Sequence, residues 1–179
     1  MPQSQQPKEG EQIILDQIRA TPEVAVLDVG CGEGKWGDAL FDDVDIIDGV
    51  EAWEPYVEKY SLKSKYDTLF VADIKDFKHI GAYDVMILGD VFEHLEYDDA
   101  IKFIEYVKEK KIPRVYLTLP ISLCVQNGMA YGNPYETHRY QWKHEEIVEL
   151  GFEQLHEGYN ENGLVKIGTY VMKNENINN

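Results

Sequence analysis

A chain of 179 residues with 44% hydrophobic and 12% aromatic content can bury a substantial core, which excludes a disordered segment. Its 33 acidic against 17 basic residues leave a net charge of -16, which repels phosphate backbones and sets nucleic acid aside as a partner. No apolar run reaches the roughly twenty residues of a membrane span, and the start MPQSQQPKEG lacks a signal-peptide core, so a cytoplasmic protein without a membrane partner, a monomer or homodimer, is expected.

In chain order, residues 1–10 are polar and hold Pro2 and Pro7, and are expected to be mobile. The body of the protein is expected over 11–172, and a disordered tail over 173–179. Glu11 to Ala20 spaces Ile13, Ile14 and Ile18 as an amphipathic helix, and Thr21-Pro22 punctuates it. Val24 to Val29 reads as a first strand, running into a glycine-dense loop and a helix over Lys35 to Phe41. Asp45 to Ala52 is a second strand despite its interior acids. Pro55 opens a helix whose buried face holds Tyr56, Val57 and Tyr60. Thr68 to Ala72 and Tyr83 to Leu88 are the third and fourth strands. A helix over Tyr97 to Lys110 shows Ala100, Phe103, Ile104 and Val107 on one face, and Arg114 to Leu119 is the fifth strand.

A long connection follows, Ile121 to Trp142, and connections of such length are often functional. Lys143 to Leu150 is a last helix, ended by Gly151. Phe152 to Tyr159 and Leu164 to Met172 alternate apolar and polar residues around Asn160-Glu161-Asn162-Gly163, a hairpin signal. Strands alternating with helices predict a parallel sheet covered on both faces, an α/β doubly wound architecture, and the terminal hairpin requires an antiparallel strand. Cys31 and Cys124 suggest neither a disulfide framework nor a zinc site. The densest basic run, Lys108 to Lys111, is interrupted by Glu109 and suits a helix C-terminus.

The chemistry concentrates in Val26 to Gly37, VLDVGCGEGKWG. Glycines let the backbone turn sharply and approach a ligand, and the helix that follows offers unpaired N–H groups to an anion. Gly32, Gly34 and Gly37 alone satisfy G-x-G-x-x-G, so a nicotinamide-dependent oxidoreductase is one reading. The longer pattern Asp28-x-Gly30-x-Gly32-x-Gly34 is more specific. It sets a carboxylate on the strand, able to accept from loop amides, to act through water on an ammonium group, or only to brace the loop. A dinucleotide pyrophosphate has no need of that charge; a cofactor carrying an amino acid does.

The motif DVGCGEG, with an acid at each of the next two strand ends, resembles the class I S-adenosylmethionine-dependent methyltransferases over nearly the whole chain. That resemblance implies a Rossmann-like, mostly parallel seven-stranded sheet with a C-terminal antiparallel hairpin. The cofactor implied is S-adenosylmethionine, leaving S-adenosylhomocysteine as product. Asp28, Gly30, Cys31, Gly32 and Gly34 then form the cofactor loop. Glu51 takes the ribose hydroxyls, with Asp48 and Glu54 as its neighbours in contention, and Ala52 and Trp53 follow it, the tryptophan against the adenine or packed on the sheet. Asp73 accepts from the adenine amino group, or caps a helix, with Ile74 beside it. Gly89 and Asp90 face the methionine part.

Methyl transfer from a sulfonium needs chiefly a positioned acceptor and, for a hydroxyl, a base. Glu93-His94-Leu95 is similar to a stretch of many small-molecule methyltransferases, which makes His94 a first candidate base; a histidine held by Asp90 or backbone is the alternative. The long connection holds Asn133-Pro134-Tyr135-Glu136-Thr137-His138, similar to small methyltransferases of phage and of bacterial polysaccharide clusters. His138 is the second candidate, with Glu136 to orient it. Tyr131, Tyr135, Tyr140 and Trp142 suit an aromatic lid over a small or sugar-like acceptor, or an apolar cluster pinning the loop. The acidic stretches Phe41 to Asp48 and Glu93 to Asp99 could bind a divalent cation, as in catechol-type methyltransferases, but the spacing of that subclass is not present and no metal is expected. The expected function is methyl transfer to a small molecule or glycan; a protein that binds the cofactor without transferring methyl is the alternative.

Overall fold

A computed structural model describes residues 8–21, 24–78 and 80–174, and the side chains among them other than those of Lys8, Ala130 and Tyr131. Residues 1–7 of the expected mobile start, Pro22 and residues 175–179 of the expected tail lie outside the described residues. The remainder of those two segments is ordered. Helix α1 spans Lys8–Arg19, beginning ahead of Glu11, and Lys173 ends a strand. The early start has a physical cause. Glu9 and Glu11 sit in the first turn, favourable to the helix dipole. Gly10 is buried, and a Cβ there would collide with the hydroxyl of Thr169, so the helix rests directly on the sheet.

Seven strands form one sheet: β1 (Ala25–Val29), β2 (Ile46–Glu51), β3 (Thr68–Val71), β4 (Val85–Gly89), β5 (Arg114–Pro120), β6 (Glu153–Tyr159) and β7 (Lys166–Lys173), in the order β3-β2-β1-β4-β5-β7-β6. All pairs are parallel except those of β7, which runs antiparallel between β5 and β6. The period-two geometry of a strand splits the core in two. Leu27, Met86, Leu88 and Leu117 pack on one face with Phe103, Ile104 and Trp142. Val26, Ile47, Val85 and Ile87 pack on the other with Ile14, Ile18 and Trp36.

Helices α2 (Lys35–Leu40), α3 (Pro55–Lys59), α4 (Tyr97–Lys110) and α5 (His144–Glu149) supply the crossovers. Among the described residues the alternation breaks between β3 and β4: instead of a helix, a turn folds over Asp73, whose carbonyl accepts from Asp76 and Phe77 N–H. Phe77 and Ile80 then plug the core directly. The acid inside β2 is also accounted for. Asp48 is buried, its Oδ1 accepting from Thr68 N–H at 2.9 Å and its Oδ2 from the Tyr83 hydroxyl at 2.6 Å. It ties β2 to its neighbours and leaves Glu51 alone at the strand end. Among the described residues no helix is long and apolar enough to cross a membrane.

Candidate functional site

β1 and β4 are neighbours whose crossovers leave in opposite directions, so a crevice opens beyond their carboxyl ends. There a cavity of about 660 Å³ runs from the glycine loop to the connection after β5. Gly30, Gly32 and Gly34 all have positive φ, which lets the loop turn back on itself before α2. Gly30 and Cys31 N–H both donate to the Val50 carbonyl, at 2.8 and 3.0 Å, anchoring the turn to β2. A Cβ on Gly32 would touch nothing closer than 3.9 Å, so this glycine faces open space.

Glu51 clasps the loop to the end of β2. Its Oε2 accepts from Gly32 N–H at 2.8 Å and its Oε1 from Trp53 N–H at 2.7 Å. Burial pushes its pKa up to about 7, against the pull of those donors. Asp28 lies beneath the loop and does not line the cavity. Its Oδ2 accepts from the Tyr66 hydroxyl at 2.6 Å, and that hydroxyl accepts from Gly37 N–H at 3.3 Å. Asp28 is thus a brace between β1 and α2, its pKa raised to about 7 by burial. Tyr66 was not foreseen. The signal was Gly49 inside β2 and Gly37 inside α2: a Cβ at either would run into the Tyr66 ring, at 2.9 and 2.8 Å. The same contact accounts for Gly37 as a packing residue, not part of a dinucleotide fingerprint.

The other positions divide between the cavity wall and its supports. Ala52, Asp73, Ile74, Gly89 and Asp90 line the wall. The Asp73 side chain also takes Lys75 N–H at 2.9 Å in a local turn. Gly34 packs under the loop against Leu62 and Lys65. Trp53 stands outside the wall, its ring 6.3 Å from that of Tyr135. Asp90 holds a left-handed backbone, φ 55°, a strained conformation for a residue with a side chain. Its N–H donates to the Thr118 carbonyl at 2.9 Å, while its buried Oδ1 has no hydrogen-bond partner. An uncompensated carboxylate oxygen beside a Cβ-free cradle suits the positive end of a zwitterionic ligand.

Beyond Asp90, a 3-10 turn over Phe92–His94 sets Glu93 and His94 side by side. The long connection closes onto this turn. Arg139 and Tyr140 N–H both reach the Glu93 carbonyl, at 2.7 and 3.3 Å, and the Trp142 indole N–H donates to the Phe92 carbonyl at 3.0 Å. The strapping brings His138 to His94, ring centroids 4.9 Å apart and edge to face. His94 Nδ1 lies 3.3 Å from the Thr137 carbonyl and His138 Nδ1 2.7 Å from that of Cys124. Burial lowers both pKa values, that of His94 to about 4, so both rings are neutral near pH 7. Glu136 does not orient His138. It accepts instead from the Tyr56 hydroxyl and from Gln126 Nε2, each at 3.3 Å. Of the expected lid rings, Tyr140 and Trp142 pack with Phe92 and Tyr97 as an apolar cluster, and Tyr135 alone among the described ones lines the cavity. Glu93, the first residue of the Glu93-His94-Leu95 motif, is buried to 3% exposure and lines the same cavity.

Residues 27–110 match the sequence model of a family described as a methyltransferase domain. The fold is similar to magnesium protoporphyrin IX methyltransferase from Synechocystis PCC 6803, solved with S-adenosylhomocysteine. Identity is 22%, over 92% of this chain and 84% of that one, with a TM-score of 0.63. It is also similar to a 1,6-didemethyltoxoflavin-N1-methyltransferase from Burkholderia thailandensis, at 13% identity over 94% of this chain and 78% of that one, TM-score 0.67. The small RNA methyltransferase HEN1 aligns at 20% identity over 98% of this chain and 27% of its own, TM-score 0.70. Among curated protein sequences none matches.

Proposed function

We propose that this chain is a class I S-adenosylmethionine-dependent methyltransferase whose acceptor is a small molecule or the terminal unit of a glycan. What supports this reading is the cavity, which cofactor and acceptor would share. At about 660 Å³ it falls in the range of small-ligand sites. Its far end is lined by the strapped connection, with Gln126, Tyr135, Glu136 and His138 on the wall. The net charge of -16 opposes a polynucleotide acceptor.

The residues present fit the cofactor. Gly30 to Gly32 and the orphaned oxygen of Asp90 would hold its methionine end, Glu51 the ribose hydroxyls, and Asp73 with Ile74 the adenine. The cofactor supplies a methyl group already activated on a sulfonium. The protein's part is to position the acceptor and accept its proton. Each imidazole has Nδ1–H held on a backbone carbonyl and so keeps a lone pair on Nε2, which can take a proton from an acceptor hydroxyl.

The test is a panel of acceptors incubated with protein and S-adenosylmethionine, with S-adenosylhomocysteine read by mass spectrometry. Turnover with hydroxylated small molecules or sugars is expected. Turnover confined to RNA or protein acceptors would overturn the assignment. Cofactor binding in calorimetry without product from any acceptor would mark a binding protein instead.

A further inference from the structure

Two histidines and a buried acid converge at the acceptor end of the cavity. One nitrogen of His94, one of His138 and one carboxylate oxygen of Glu93 all lie within 4.8 Å of one another. The hydrogen bonds around them fix what each can do. A carbonyl oxygen only accepts, so the carbonyls of Thr137 and Cys124 hold the proton of each ring on Nδ1. That is the outer support a metal-ligating imidazole ordinarily has: one nitrogen fixed on a backbone carbonyl, the other free to ligate.

Glu93 supplies the independent observation. The residue is 3% exposed, and its Oε2 has no hydrogen-bond partner. Leaving a buried carboxylate oxygen unmatched is costly unless a cation or donor meets it. The Asp90 carboxylate, with a second unmatched oxygen, stands close enough to repel it. An ion lodged between the rings and Glu93 offsets both penalties. The set is also built from two remote pieces of chain. Glu93 and His94 come from the turn after β4, and His138 from the connection after β5. Arg139 and Tyr140 N–H on the Glu93 carbonyl, at 2.7 and 3.3 Å, bring the pieces together, and His138 N–H on the Gln126 carbonyl at 3.0 Å fixes His138 within its own connection.

We propose that Glu93, His94 and His138 bind a divalent first-row transition cation, such as manganese, iron, cobalt or zinc, at the end of the cavity away from the glycine loop. Two imidazoles and one carboxylate leave coordination positions open, and an acceptor oxygen can take one. Bound there, an acceptor hydroxyl would release its proton to solvent water more readily, and its oxygen would take the methyl as the carbon–sulfur bond breaks, so the ion would replace the need for a free histidine base. Ligation by these three residues is independent of the methyltransferase assignment; only the placing of the acceptor on the ion rests on it.

The experiment uses the full chain without an affinity tag, stripped with a chelator and dialysed. Co2+ is titrated in while its visible absorption is followed, and Mn2+ and Zn2+ binding is measured by calorimetry. Saturable binding of one ion per chain is expected. His138→Ala and Glu93→Gln are each expected to weaken it at least about tenfold. His144→Ala, whose ring faces the Tyr170 hydroxyl on another element, leaves it unchanged. Each variant is also titrated with S-adenosylhomocysteine, which reports the fold and the cofactor half of the cavity. The proposal is overturned if the wild-type chain shows no saturable binding, or if H138A and E93Q bind the ion as well as wild type while still binding S-adenosylhomocysteine. Loss of S-adenosylhomocysteine binding by wild type with the metal titration intact would instead strike the methyltransferase reading.

Discussion

Asp28 shows how a motif residue can serve the site without touching the ligand. Its carboxylate is 1% exposed and its pKa is raised from 3.8 to about 7, chiefly by burial. Between those values the folded chain holds a proton that the unfolded chain has released. Stability therefore falls as pH rises across that window, and the whole penalty is present above about pH 7. The three-unit difference corresponds to a penalty on the order of a few kcal/mol. Asp28→Asn keeps an oxygen for the Tyr66 hydroxyl and removes the charge. In cofactor-free protein, urea denaturation should show D28N gaining on wild type by that order between pH 4 and pH 8. Glu51, raised from 4.5 to about 7, titrates in the same direction in both proteins, so the difference isolates Asp28. Parallel pH profiles would show that the buried charge is not what shapes the curve.

The connection between β5 and α5 acts as an element in its own right. Asn133 is buried, and its Oδ1 accepts from Tyr135 N–H at 2.9 Å, capping a short turn. Trp142 is fully buried, its ring 4.9 Å from that of Tyr140 and 5.5 Å from that of Tyr97. Trp142→Ala should destabilise by about 3–5 kcal/mol. Trp142→Phe keeps a ring but removes the indole donor from the Phe92 carbonyl, which keeps the Leu95 N–H at 3.2 Å, at a cost of about 0.5–1.5 kcal/mol. Because Trp142 closes the connection onto the turn bearing Glu93 and His94, W142F should raise the acceptor KM or lower kcat while S-adenosylhomocysteine affinity holds. Equal losses in both would mean that the connection and the glycine loop are one unit. Much of this element is legible in the sequence: its length and its aromatic content. Its attachment is not, because backbone carbonyls such as those of Phe92 and Glu93 carry no side-chain signature. The glycine loop and Glu51 read more directly, since both depend on residue type at short range. The missing helix between β3 and β4 shows the opposite limit, where Phe77 and Ile80 pack a helix-length segment as a turn.

At the scale of the molecule, strand count follows from periodicity, but strand order does not. The insertion of β7 between β5 and β6 came with the family resemblance, since an Asn-Gly hairpin fits an edge position equally well. Charge is the other whole-molecule property, and it is read from the sequence without loss. The excess of 33 acids over 17 bases is spread over a surface whose ion pairs include Arg19–Asp43 at 2.7 Å and Lys173–Glu153 at 3.2 Å, both well exposed. Exposed pairs of that kind contribute at most about 1 kcal/mol each. Repulsion among the unpaired acids acts over longer distances and extends to about 30 Å at 0.01 M salt, against about 8 Å at 0.15 M. Screening should therefore relieve more repulsion than attraction. Raising sodium chloride from low to physiological concentration, with chelator present so that no divalent ion contributes, should raise Tm. Each 1 kcal/mol of relieved repulsion corresponds to about 2–4 °C for a chain of this size. Calorimetric scans at matched pH measure it. A Tm that falls with added salt would show that the surface pairs outweigh the net charge. It would also weaken the electrostatic argument against a polyanionic acceptor.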